Sequence, residues 1–130
     1  MAYVYVNPNP LHKHTVDCVV RALCLVLKQT WDQTYVELSD VGFSMAEPFT
    51  SDAVWWSYLK AKGFYREFIP NTCPECYTVR DFCADHHYGR YVLKTSRHVV
   101  AVIDGDYYDT WDSGNDSPLY FVTRRRLMYE

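Results

Sequence analysis

The apolar residues of this chain change period, and that change limits the fold more than any other feature. From residue 17 to residue 63 they recur at spacings of three and four, while from Arg90 to Thr123 they alternate or run unbroken between turn signals. The first spacing puts a stripe on one face of a helix, and the second sends side chains to the two faces of a strand. Helices first and strands afterwards predict an α+β chain. With 130 residues, no internal repeat and no linker, residues 1–130 are expected to form a single domain. The expected architecture is N-terminal helices packed on an antiparallel sheet of about four or five strands.

Residues 3–6 read as a short strand, which Asn7-Pro8-Asn9-Pro10 ends. Thr15 or Asp17 then caps a helix over about 17–28, with Arg21 off its apolar stripe. A second helix follows Thr30 and is expected to stop at Gly42; a third runs from Thr50 or Ser51 to Gly63, and only one of Trp55 and Trp56 can point inward. A strand is predicted over about 65–69, and a short helix from the cap Thr78 to about His86. The remaining strands meet at Asp104-Gly105, a strong hairpin signal.

Composition excludes several classes. Forty-eight per cent hydrophobic content, with 12 Tyr, 6 Phe and 4 Trp, is not that of a disordered chain. Thirteen Lys and Arg against 16 Asp and Glu leave no basic stripe, so nucleic acid is not an expected partner. The run Arg124-Arg125-Arg126 reads as a solvated strand end. No apolar stretch approaches the roughly 18 residues of a membrane span, and the first residues lack a secretory pattern. A cytoplasmic protein with five reduced cysteines is therefore expected. No phosphate-cradling glycine loop is present. The pairs Asp104/Asp106 and Asp112/Asp116 read as turn chemistry rather than as paired catalytic carboxylates.

Three residues carry a candidate nucleophilic site. Cys18 opens the first helix, where unpaired N–H groups and the helix dipole favour a thiolate. Asp17 beside it opposes this unless its carboxylate turns away from the sulfur. His98 opens a strand, and the hairpin brings Asp109 back toward it. With a two-residue loop, Ile103 faces Asp106 and Asp109 lies diagonal to His98 on one sheet face; with one residue more, Asp112 takes that place. A thiol beside an imidazole that a third polar group orients is the arrangement of nucleophilic acyl transfer. Cys24, mid-helix, reads as a core residue.

A second cluster has ligand spacing. Cys73-Pro-Glu-Cys76 and Cys83-Ala-Asp-His86 together offer three thiolates and one imidazole to a structural Zn²⁺, with His87 as an alternative ligand. The competing reading makes Cys83 a core residue of the short helix and the Cys pair part of a loop.

The order of a helix-borne Cys, then a strand His, then Asp on the next strand resembles that of papain-like cysteine peptidases. Tyr108-Asp109-Thr110-Trp111 is similar to the Asn-Ser-Trp segment of those enzymes, and the likeness favours Asp109 over Asp112. Asn7-Pro-Asn-Pro10, Asp17-Cys-Val-Val-Arg-Ala-Leu23, Thr78-Val-Arg-Asp-Phe82 and the segment from His98 to Asp112 resemble a family of small proteins of gut bacteria and their phages. The resemblance implies a papain-like fold and a thiol-dependent hydrolase of protein or peptide substrates. Cys18 would be the nucleophile, His98 the base and acid, and Asp109 the orienting group, with no cofactor required for catalysis. Papain-type enzymes carry a Gln six residues before the nucleophile; here that position is His12, leaving Asn7, Asn9 and His12 as candidates for the second oxyanion donor. The alternative is a non-catalytic phage or mobile-element protein that blocks a host factor, Zn-stapled or not.

Overall fold

The structure, a computed structural model, describes residues 2–125; Arg126 of the basic run lies outside them. Among the described residues the chain is α+β, with four helices and one six-stranded mixed sheet. The elements are β1 Tyr3–Tyr5, α1 Cys18–Leu27, α2 Trp31–Met45, α3 Asp52–Ala61, β2 Tyr65–Phe68, α4 Val79–Asp85, β3 Arg90–Lys94, β4 Val99–Ile103, β5 Asp106–Asp109 and β6 Tyr120–Thr123. No helix is long and apolar enough to cross a membrane, among the described residues.

The sheet order is β1-β5-β4-β3-β6-β2. Two corrections to the expected sheet follow. It has six strands rather than four or five, and it is not wholly antiparallel, because β1 runs parallel to β5 at one edge. A three-residue terminal strand carries no pattern that declares its partner, and its direction is set by where the chain enters. The hairpin itself follows the two-residue reading: Ile103 faces Asp106 and Ala101 faces Tyr108. Asp104 and Gly105 both take positive φ, as a tight hairpin of matching twist requires.

The unbroken apolar run of β4 has a simple cause: both sheet faces are covered. Val99 and Ala101 join the core under α1, α2 and α3, with Leu23, Leu38, Trp55 and Val92. Val100 and Val102 face the other way, onto Val79, Phe82 and Cys83 of α4. Thr78 caps α4 as expected, in a reciprocal box with Asp81. Trp55 is wholly buried, while Trp56 is half-buried beneath the Arg66 guanidinium. Gly42 does not stop α2, which continues to Met45 and closes on Ala46 in the left-handed region. The glycine serves close approach instead: a Cβ there would lie 2.6 Å from the Glu47 carbonyl oxygen, where the chain folds back.

Candidate functional site

Three element ends converge at the site. Cys18 is the first residue of α1, His98 immediately precedes β4, and Asp109 ends β5. The packing of α1 on β4 sets the thiol against the imidazole. His98 Nε2–H donates to Asp109 Oδ2 at 2.5 Å, which leaves the ring's other nitrogen for the Cys18 thiol. His98 and Asp109 are 9% and 3% exposed, so this pair is shielded from water. Trp111 lies against the imidazole with ring centroids 4.9 Å apart. Asp112 is engaged elsewhere, with Arg80 and the Tyr107 hydroxyl, so Asp109 is the carboxylate that meets the imidazole.

The electrostatics separate Cys18 from the other free thiols. Burial pushes the Cys18 thiol up, but the His98 hydrogen bond and charge, the Val99 backbone and Arg21 outweigh it, and the thiol sits below its ordinary value. Burial pushes Cys24 up to about 12 and Cys83 up to about 11. Burial opposes the charged form of His98, yet bonding to Asp109 and to Cys18 raises the imidazole to about 9. Both shifts favour the charged forms, a thiolate beside an imidazolium.

Residues absent from the sequence-derived site hold the Asp109 carboxylate in place. Asp109 Oδ2 also accepts from Ser113 Oγ at 2.9 Å, and Oδ1 accepts from the Thr110 N–H at 2.8 Å. Arg21 lies 3.5 Å from Oδ1 and pairs on its other side with Asp17. Asp17 also accepts from Asn9 Nδ2 at 3.2 Å and from Trp31 Nε1 at 3.0 Å. Its carboxylate does not cap α1 and is engaged by these three groups. The Val6 N–H donates to the Asp109 carbonyl at 3.0 Å, so the parallel edge strand fixes the backbone that presents the carboxylate. One signal for this network stood in the sequence: an Arg inside an otherwise apolar helix, four residues after an Asp.

A cleft of about 530 Å³ opens beside Cys18 and His98, with Val16, Val19 and Trp111 among its apolar walls. Of the three candidates for a second oxyanion donor, none lines it. Asn7 and Asn9 tie the loop before α1, Asn7 to the Lys13 carbonyl and Asn9 to the Leu11 and Lys13 N–H groups, and His12 is exposed. His14 and Thr15 from the same loop line the cleft in their place. The N–H of Cys18 belongs to the first turn of α1, where no earlier helical carbonyl accepts it.

The expected Zn²⁺ ligands are not brought together. Cys73 and Cys76 form a disulfide, which also corrects the expectation of five reduced thiols. Cys83 is buried in the core under the sheet, and His86 stacks on Phe82 with Nδ1 bonded to the Phe82 carbonyl. His87 is exposed. Among the described residues no group of three or more His, Cys, Asp or Glu side chains is placed to hold a metal ion. The chemistry at Cys18 has to be read from its own geometry, because the chain matches no known family, no curated protein and no solved structure.

Proposed function

We propose that this protein is a thiol-dependent acyl-transfer enzyme of papain-like architecture, most simply a cysteine peptidase or isopeptidase. The observation that carries the reading is the single chain from the half-buried Cys18 thiol through the buried His98 ring to buried Asp109, with the thiol lowered and the imidazole raised. A buried core cysteine does not need such a partner, as Cys24 illustrates: its thiol donates to the Arg21 carbonyl and is pushed up.

In the proposed reaction the Cys18 thiolate attacks the carbonyl carbon of an amide, and the C=O electron pair moves onto oxygen. The N–H of Cys18 at the start of α1 is the first donor to that oxyanion. Collapse re-forms the carbonyl and breaks the C–N bond, and the His98 imidazolium gives its proton to the departing amine. Water then attacks the thioester while neutral His98 takes a water proton; the acid leaves and the thiolate–imidazolium pair returns. Asp109 holds the ring by Nε2 and stabilises its charged form. All proton and bond changes fall to side chains and water, so the reaction asks for no cofactor.

The test is turnover of an activated ester, p-nitrophenyl acetate, with acylation followed by intact mass. The reading predicts one acetyl group on Cys18, and loss of both acetylation and turnover in Cys18→Ala and His98→Ala, with the folded near-ultraviolet spectrum kept. Full turnover in both variants would show that the triad is not the catalyst.

A further inference from the structure

The charges around the cleft are unevenly committed. Its one lining carboxylate, Asp52, accepts from Trp55 Nε1 at 3.1 Å and from the Tyr120 hydroxyl at 3.2 Å, and pairs with Lys94 at 3.5 Å. Arg21, at the cleft floor, is engaged by Asp17 and Asp109. Arg97 also lines the cleft, is exposed, and makes no ion pair or hydrogen bond with any described residue. His14 stands on the cleft wall likewise unpartnered. Among the ionisable side chains of the lining, the two without a described partner are thus the Arg97 guanidinium and the His14 imidazole, on a chain whose net charge is -3. A basic rim on an acidic molecule is a local feature, not a reflection of bulk charge.

Arg97 is also placed by its backbone. It precedes His98 in the tight turn between β3 and β4, which the Thr95 N–H closes onto the His98 carbonyl at 2.9 Å. Arg97 is the chain neighbour of the base and lines the same cleft, so its guanidinium is available to a group carried next to a carbonyl held at Cys18. Val16, Val19 and Trp111 offer apolar contact beside it.

We infer that the cleft selects acyl substrates with a carboxylate within about one residue of the scissile carbonyl, an acidic peptide segment recognised by Arg97. This rests on the catalytic reading of Cys18 and names the substrate class of that site.

The test uses two probes that differ only in charge: the α-amides of chloroacetyl-glutamate and chloroacetyl-glutamine. In each, the Cys18 thiolate displaces chloride, forming an S–C bond as the C–Cl bond breaks. A single exposed cation a few Å from the bound carboxylate should make the glutamate probe label Cys18 about fivefold faster at low salt. In Arg97→Gln that preference should collapse while the glutamine probe keeps its rate. The His98 imidazolium also attracts an anion, but it is present in both proteins and cancels in the comparison. Equal rates for the two probes in the unaltered protein would overturn the inference, as would a preference that persists in Arg97→Gln. Slow labelling of Cys18 by both probes, no faster than Cys24, would instead overturn the catalytic reading beneath it.

Discussion

Two stretches of this chain carry the cysteines and histidines that chemistry uses, and they come to opposite ends. At the start of α1 the members are 80 and 11 residues apart in sequence, yet meet because a helix start, a strand start and a strand end abut. Between residues 73 and 86 the members are close in sequence and are drawn apart: two into a disulfide, one into the core, one onto an aromatic ring. Sequence proximity within a loop and a short helix fixes little, because each residue is claimed by its own neighbours. Convergence of element ends fixes a good deal, because sheet register and helix packing leave the side chains few alternatives.

Breaking each region should therefore cost different things. Cys18→Ala should abolish ester turnover while changing the urea midpoint little, since it removes a single half-buried sulfur atom; retained turnover would place the chemistry elsewhere. Arg21→Leu should be the most damaging to stability, by roughly 3–5 kcal/mol in chemical unfolding, because it leaves Asp17 buried without a cation and Asp109 with His98 alone. A loss under about 1 kcal/mol would mean the network is not the scaffold of the site.

The pH dependence sharpens the comparison. Turnover should rise on the acid side as Cys18 ionises below the ordinary thiol range, and fall near pH 9 as His98 loses its proton. Asp109 raises that imidazole, so Asp109→Asn should move the alkaline limb to lower pH; an unmoved limb would remove Asp109 from the triad. For stability the sign is the same. The raised imidazole contributes fully below its ordinary 6.5 and loses that contribution as pH climbs through about 9. Ser113→Ala should cost about 1 kcal/mol, the loss of one hydrogen bond to a buried carboxylate that keeps three others. Smallest of all, Cys73→Ser should leave turnover unchanged. Unfolded without reductant, the protein should titrate three thiols, and five after reduction. Five thiols without reductant, with release of Zn²⁺, would restore the metal reading.

The α+β order, the Thr78 cap and the place of the hairpin turn were legible because each is a local signal. Its register was open between two loop lengths, and the structure takes the two-residue one, which brings Asp109 rather than Asp112 to His98. The parallel edge strand was not legible, because three residues carry no direction. The support of Asp109 by Ser113, Arg21 and the Val6 N–H was hidden for a related reason: each contact joins segments whose spacing along the chain implies nothing about their meeting. Gly42 misled because a glycine near a helix end reads as a stop, whereas here it makes room for the returning backbone.

The central claim is that Cys18 differs in kind from its neighbours on α1. Site-resolved alkylation by iodoacetamide across pH, read by mass spectrometry with His98→Ala alongside, tests it directly. Near pH 7 the account predicts that Cys18 reacts at least about a hundredfold faster than Cys24, whose thiol burial holds at about 12, and loses that advantage in His98→Ala. A Cys18 as slow as Cys24, or one whose rate ignores His98, would contradict it.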